Sequence, residues 1–305
     1  MRLIIDYLTF KLTITANIGI IFLLEFNIPT LKYLSYRHGQ IAYVDTGEGP
    51  TLFLLHGMNG NSKSWANLFH SLNSSYRVIA WDAPSFGKSD VFGDSIEDYK
   101  NAAKALIETL KLENIILIGH SMGGLIAAQL AHDDDVSISG LILSSTHLGF
   151  GCPKGDTLME RYANRLETFS SKQSDIDYAM ERAQRNTPEG TSQAVVEFLA
   201  NVALGIRLES IRDGGRMSQE TDNTTICNNL KVPVLILSGS KDTVISTEMH
   251  ASLIAALPGA TEVVFPKAGH ASYAEYPDQF IFQVTEFAKK VWNLNGAVLT
   301  KTKIN

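Results

Sequence analysis

The short segment Gly119-His120-Ser121-Met122-Gly123 sets a serine between two glycines in the pattern G-x-S-x-G. The branched aliphatic run before it is typical of a buried strand, and the small residues after it are typical of a helix. A sharp turn at such a boundary strains the backbone of the serine and exposes its hydroxyl group, and the glycines avoid collisions. The first turn of the following helix presents unpaired amides and the positive end of the helix dipole. The pattern therefore predicts that Ser121 is a nucleophile.

A serine hydroxyl needs a base to react, so a histidine and an orienting acid are expected elsewhere in the chain. His270 follows the apolar segment TEVVFP, and Asp242 follows the apolar segment VPVLILSG. Loops at the carboxyl ends of parallel strands share one edge of a sheet, which would bring both side chains to Ser121. We predict His270 as general base and then general acid, and Asp242 as the carboxylate that fixes its tautomer. Asp82 is the other acidic candidate, but we expect it to cap the turn APSFG.

Acyl transfer to a serine also needs preorganised amide donors for the oxyanion of the tetrahedral intermediate. We predict two backbone amides: that of Met122, directly after the nucleophile, and that of Met58, in the loop HGMNGN after the third strand. His56 is expected to hold this loop by hydrogen bonds. Strand alternation predicts that His120 points away from the site and packs in the interior.

The hydrophobic pattern along the chain predicts an α/β fold around these residues. Strand-like apolar runs alternate with segments of helical periodicity, which indicates a mostly parallel central sheet with helices on both faces. The alternation is interrupted at 148–228, where polar, helix-like segments predict an inserted helical cap. The predicted core therefore comprises residues 30–147 and 229–293, and residues 294–305 are predicted to form a C-terminal tail.

Residues 1–29 form an apolar N-terminal extension that is interrupted by Asp6, Lys11 and Glu25. Its longest clean run, Ile18–Leu24, is far shorter than the roughly 20 residues of a membrane-spanning helix. No small-residue cleavage pattern follows it, as a secretory signal would require. Three interpretations stay open: an added element packed on the domain or an artefactual extension, a membrane-surface or uncleaved anchor, and a signal peptide.

Composition restricts the classes of partner. The formal net charge of −6 gives no basic face for nucleic acid, and 45% hydrophobic with 19% charged residues is ordinary for a globular protein. Cys152 and Cys227 are too few for a disulfide framework, and no CxxC pattern suggests a metal site. Both thiols are predicted to be reduced, with one bridge between them as the alternative. We expect no metal and no cofactor.

Five ordered segments carry a resemblance to a known family: LLHGMNGN, WDAPSFGKSD, GHSMGG, GSKD and AGH. Through them the chain, over about residues 31–292, resembles the α/β-hydrolase superfamily, in its branch of cap-bearing esterases, lactonases and C–C bond hydrolases. The resemblance implies the chain order serine, acid, histidine, which Ser121, Asp242 and His270 follow. One departure is Ser85, where the family usually has glycine, and it would alter a turn without affecting catalysis.

The resemblance also bears on the reaction. A serine at this turn argues against haloalkane dehalogenases and epoxide hydrolases, and His120, where C–C hydrolases usually have asparagine, favours an ester or lactone substrate. The resemblance thus implies a serine hydrolase with a Ser-His-Asp triad that cleaves a small to medium carboxylic ester or lactone through an acyl-serine intermediate. One alternative is a C–C bond hydrolase of diketone-like acids, which would use a cap arginine such as Arg161, Arg165 or Arg207. The other is a non-hydrolytic small-molecule receptor on the same fold.

The predicted fold and chemistry also indicate the binding partner and the cellular location of the protein. Its partner is predicted to be a small-molecule acyl substrate and not a nucleic acid. A cytoplasmic location is predicted, with membrane contact through the N-terminal apolar stretch as the alternative.

Overall fold

The computed structural model describes residues 28–299. The predictions for the extension 1–29 fall almost entirely outside the described residues, as do those for 300–305. Within the described range, no helix has both the length and the apolar character that crossing a bilayer demands.

A central eight-stranded sheet runs through the molecule in the spatial order β1-β2-β4-β3-β5-β6-β7-β8. The pairs β1–β2 and β2–β4 are antiparallel, and all other neighbours are parallel. This confirms the mostly parallel sheet that the sequence predicts. The strands are β1 (Lys32–Tyr36), β2 (Gly39–Thr46), β3 (Thr51–Leu55), β4 (Arg77–Trp81), β5 (Ile115–His120), β6 (Ile138–Ser144), β7 (Val234–Gly239) and β8 (Thr261–Phe265).

Both faces of the sheet are covered, so the central strands are buried along their whole length. Leu52 and Leu54 of β3 contribute to one apolar cluster, while Phe53 and Leu55 contribute to a second cluster on the opposite face. Parallel strands that are buried on both faces have continuous hydrophobic sequences, which is why TLFLL shows no polar alternation.

Helices of the core follow the strands in the order that the hydrophobic pattern predicts. Ser95 and Asp98 form a reciprocal capping box at the start of one of them, α2 (Ile96–Thr109). The last helix continues to Leu299 because no proline interrupts it after its first residue. The predicted start of the tail at residue 294 therefore differs from the structure and lies inside this helix. The core helices are a 3-10 helix (Ser62–Trp65), α1 (Ala66–Leu72), α2 (Ile96–Thr109), α3 (Met122–His132), α9 (Thr247–Ala256), α10 (Ser272–Glu275) and α11 (Pro277–Leu299).

Between β6 and β7 the chain forms five helices and no strand, and residues 148–228 are called the helical insertion below. Its helices are α4 (Glu160–Ser171), α5 (Asp175–Asn186), α6 (Gln193–Ala203), α7 (Leu208–Glu220) and α8 (Thr224–Asn228). Helix α5 packs against α6, and α4 packs against α7. Helix α8 instead packs against α3 and α9, so the end of the insertion lies on the core.

Candidate active site

Ser121 lies at the turn between β5 and α3, with φ 51° and ψ −118°. This backbone conformation is strained for a residue with a side chain, and such strain clusters at functional sites. A Cβ atom on Gly119 would lie 2.5 Å from the carbonyl oxygen of Gly123, and one on Gly123 would lie 2.1 Å from the carbonyl oxygen of Leu55. Both flanking positions therefore require glycine for the turn to pack between β5 and β3.

The imidazole of His270 and the carboxylate of Asp242 are hydrogen bonded, with 2.8 Å between Nδ1 and Oδ2. The other carboxylate oxygen accepts the amide N–H groups of Val244 at 2.8 Å and Ile245 at 3.1 Å. Burial acts to raise the pKa of Asp242, but His270 and the two amides outweigh it and hold that pKa below its ordinary value. The ionised carboxylate accepts a hydrogen bond from Nδ1–H of His270, which leaves Nε2 without a proton and available as a base.

Ser121 and His270 line the same cavity, which has a volume of about 660 Å³. The structure thus brings the three predicted residues to one place, although they are far apart in the chain. In the described part of the chain, the Ser121 hydroxyl makes no hydrogen bond to His270. Catalytic hydrogen bonds of this kind are often long and tighten only in the complex with substrate.

Two segments hold the His270 loop from outside the predicted triad. Glu275 in α10 accepts the amide N–H of Gly269 at 2.9 and 3.0 Å, one to each carboxylate oxygen, and that of Ala271 at 3.1 Å. The amide of His270 itself donates to the carbonyl oxygen of Asn186, at the end of α5, at 2.9 Å. Nothing in the spacing of these residues distinguishes them from surface residues, so the sequence does not predict their role.

The loop after β3 is fixed by His56, as predicted. Nδ1 of His56 lies 2.8 Å from the carbonyl oxygen of Gly57, and the amide of Ala83 lies 2.9 Å from Nε2. Burial lowers the pKa of His56, so the neutral ring donates at Nδ1 and accepts at Nε2. Met58, in the same loop, lines the cavity. Met122 is the first residue of α3, where amides have no partner within the helix.

His120 packs in the interior, as predicted, but the prediction that it points away from the site is wrong. Its ring centroid lies 4.8 Å from that of His270 and 4.9 Å from that of Tyr273, and the side chain lines the cavity. The reason is that the His270 loop and α10 fold over the carboxyl end of β5 and cover the side to which His120 points. Burial, and then the neighbouring His270, hold the pKa of His120 well below its ordinary value, so the packed ring is neutral.

Asp82, the rival acid, has the structural role that the sequence predicts. Its two oxygens accept the amide N–H groups of Ser62 at 2.7 Å and Lys88 at 2.8 Å. Both acceptor atoms are used to hold loops, and Asp82 is not among the residues that line the cavity.

Of the three arginines considered from the sequence, Arg161 and Arg165 line the cavity and Arg207 does not. The guanidinium of Arg207 donates to the carbonyl oxygen of Ser89 at 2.7 Å, which ties the start of α7 to the loop after β4. Two arginines that sequence reasoning missed, Arg182 and Arg185, line the cavity from α5.

The positions of the two cysteines and of possible metal ligands in residues 28–299 decide whether they could add further chemistry to the site. Cys152 and Cys227 are free thiols, and burial raises the pKa of Cys227 to about 12. Over residues 28–299, no group of three or more histidine, cysteine, aspartate or glutamate side chains is arranged to hold a metal ion.

A family model for the alpha/beta hydrolase fold matches residues 50–277, which is most of the chain. The chain belongs to the alpha/beta-hydrolase fold family. A pimeloyl-[acyl-carrier protein] methyl ester esterase of Pectobacterium atrosepticum is 30% identical over 253 residues, covering 80% of this chain and 96% of that protein. A 2-hydroxy-6-oxononadienedioate/2-hydroxy-6-oxononatrienedioate hydrolase of Paraburkholderia phymatum is 25% identical over 287 residues, covering 85% and 95%.

Solved structures agree with this family membership. A thermophilic esterase from Thermogutta terrifontis, described with malate bound, superposes with a TM-score of 0.74 at 25% identity, covering 86% of this chain and 99% of that one. Together these relatives support an enzyme of the α/β-hydrolase class.

Proposed function

We propose that this protein is a serine hydrolase that cleaves a small to medium carboxylic ester or lactone through an acyl-serine intermediate. The observation that carries the proposal is the 2.8 Å hydrogen bond between His270 and Asp242, in a site whose cavity also contains the strained turn of Ser121. A base with a fixed tautomer and a serine between obligatory glycines, both lining one cavity, form the arrangement that nucleophilic acyl transfer needs.

In the proposed mechanism, Oγ of Ser121 attacks the substrate carbonyl carbon while Nε2 of His270 takes the hydroxyl proton. The amides of Met58 and Met122 donate to the oxyanion that forms on the carbonyl oxygen. Collapse of this intermediate breaks the bond to the alcohol, which takes the proton from His270. Water, deprotonated by the same imidazole, then attacks the acyl-serine carbonyl. As the bond to Oγ breaks, His270 returns this proton to Oγ, which releases the carboxylic acid and restores the hydroxyl of Ser121 and the neutral imidazole. Asp242 stays ionised and stabilises the imidazolium at each step.

The second candidate is cleavage of a C–C bond in a diketone-like acid by the same three residues. Two observations favour it: the 25% identity to the Paraburkholderia phymatum hydrolase, and the arginines that line the cavity. His120 before the nucleophile, in place of asparagine, argues for the ester or lactone. A non-hydrolytic receptor would bind the same compounds and release no product.

The nucleophile is tested by comparing Ser121→Ala with wild type on p-nitrophenyl butyrate. We expect kcat to fall by about 10³-fold or more, because the oxyanion donors alone give only residual catalysis. Ser252→Ala, a matched change on the exposed side of α9, should retain wild-type turnover. Equal activity of Ser121→Ala and wild type would contradict the assignment. Turnover of a diketone-like acid without turnover of esters would favour the second candidate.

A further inference from the structure

The wall that the helical insertion contributes to the cavity is cationic. Four arginines line it, Arg161 and Arg165 from α4 and Arg182 and Arg185 from α5. No aspartate or glutamate is among the described residues that line this cavity. The chain as a whole carries a formal net charge of −6, whereas the charged side chains of the cavity lining are positive. Clefts lined by one sign of charge concentrate ligands of the opposite sign.

Two of these guanidinium groups have unused, buried donors. Arg182 is 8% exposed, and its Nε is buried without a hydrogen-bond partner. The Nε of Arg165 is also buried without a partner, while its two Nη atoms donate to Sδ of Met58 and Oδ1 of Asn59. Buried N–H groups without partners are rare in folded proteins because they have lost water without replacement.

The positive charge of this wall is also poorly balanced. Within the described residues, Glu181 is the one carboxylate that pairs with any of the four cavity arginines. It lies 2.6 Å from Arg182 and 3.1 Å from Arg185. Arg161 stacks instead over the ring of Phe150, with 5.1 Å to the centroid. Burial, and then the charge of Arg165, lower the pKa of Arg182, as expected for like charges held together away from water.

We propose that the acyl chain of the substrate ends in a carboxylate, which Arg165 and Arg182 bind. This inference rests on the proposed function, since it defines the substrate of the same site. A carboxylate would supply the negative charge that this arginine wall lacks beyond Glu181, and guanidinium groups are well suited to carboxylates. The contacts of Arg165 with Met58 and Asn59 place this subsite beside the oxyanion loop. The substrate class is therefore the half-ester of a short dicarboxylic acid, or a lactone with a free carboxylate.

The test compares monomethyl adipate, which is anionic, with dimethyl adipate, which is neutral, by the ratio of their kcat/KM values. We expect wild type to favour the anionic ester, and Arg182→Met to lower the ratio by about 10- to 100-fold, mainly through KM of the anionic ester. Arg212→Met removes the same charge from α7, outside the cavity, and should leave the ratio unchanged. Arg182→Lys keeps the charge without the guanidinium and should give an intermediate ratio, which covers the case in which the methionine variant fails to fold.

A second measurement does not depend on the choice of alcohol. Adipate should inhibit hydrolysis of p-nitrophenyl butyrate competitively, and adipamide at the same concentration should not. The inhibition should weaken as salt is added, because ions screen the attraction. Equal inhibition by adipate and adipamide, or an unchanged ester ratio in both Arg182 variants, would overturn the carboxylate subsite while leaving the serine hydrolase intact. Loss of the hydrolase itself would show as absent turnover of p-nitrophenyl butyrate by wild type.

Discussion

Ser85, in the turn after β4, has a φ of 69°, a conformation that favours glycine. The buried side chain compensates by a contact that glycine could not make: its hydroxyl donates to Oδ2 of Asp213 in α7 at 2.7 Å. Its carbonyl oxygen accepts the hydroxyl of Ser210 at 2.6 Å. The departure from the family pattern therefore links the turn to the helical insertion.

This contact predicts different effects for two substitutions of Ser85. Ser85→Ala keeps the strain and removes the donor to a buried carboxyl group, so we expect a loss of about 2 kcal/mol in the free energy of unfolding. Ser85→Gly also removes the donor, but it relieves the backbone strain at this positive φ. This strain costs about 1–2 kcal/mol for a residue with a side chain. Urea unfolding should thus rank wild type above Ser85→Gly, and Ser85→Gly above Ser85→Ala. Equal stability of the two variants would contradict the strain argument.

At the scale of elements, the site depends on α10 as much as on the strands. Glu275 accepts amides on both sides of His270, so this short helix sets the position of the proposed base. The carboxylate is half-buried, and burial raises its pKa although the two amides favour its charged form.

We expect Glu275→Ala to lower kcat by about 10- to 100-fold, because displacement of a catalytic group by about 1 Å has effects of this size. KM should change little, since Glu275 does not line the cavity. Glu275→Gln keeps one acceptor oxygen and should lose less activity. Steady-state kinetics on p-nitrophenyl butyrate would measure kcat and KM of both variants. A higher KM with an unchanged kcat would argue against a positioning role for Glu275.

The strands and the turn at Ser121 could be predicted from the sequence because their signals are local. Apolar runs, glycine spacing and loop motifs report on backbone conformation within a few residues. The position of His120 was predicted wrongly because it depends on a loop from about 150 residues further along the chain. Arg182 was missed for a similar reason: an arginine on a polar helix is usually solvated, and its burial depends on tertiary packing that the local sequence does not report.

At the scale of the whole molecule, buried neutral histidines make stability depend on pH. Burial, and then repulsion by Arg161, lower the pKa of His147 to about 4, and its Nδ1 accepts the amide of Gly149 at 2.9 Å. The pKa values of His56 and His120 are lowered as well. In the unfolded chain a histidine takes up a proton near pH 6.5. Between about pH 6.5 and 4 the unfolded state binds more protons, so acid favours unfolding.

For His147 alone, this difference in pKa corresponds to a loss of about 2 kcal/mol of stability between about pH 7 and pH 5. His147→Asn removes the titrating group and keeps a side-chain acceptor for Gly149. We expect the free energy of unfolding of the variant to fall less over this range than that of wild type, by about 2 kcal/mol. Urea unfolding at the two pH values provides the measurement. Parallel losses in both proteins would show that His147 is not buried in its neutral form.

The central claim is that Ser121 is the residue acylated by substrate, and covalent labelling tests it most directly. Wild-type protein would be incubated with a p-nitrophenyl alkylphosphonate, which traps an activated serine, and the modified peptide would be mapped by mass spectrometry. We predict stoichiometric release of p-nitrophenol, one label on Ser121, and no label in Ser121→Ala. A label on another residue, or an unlabelled protein that still hydrolyses p-nitrophenyl butyrate, would contradict the account.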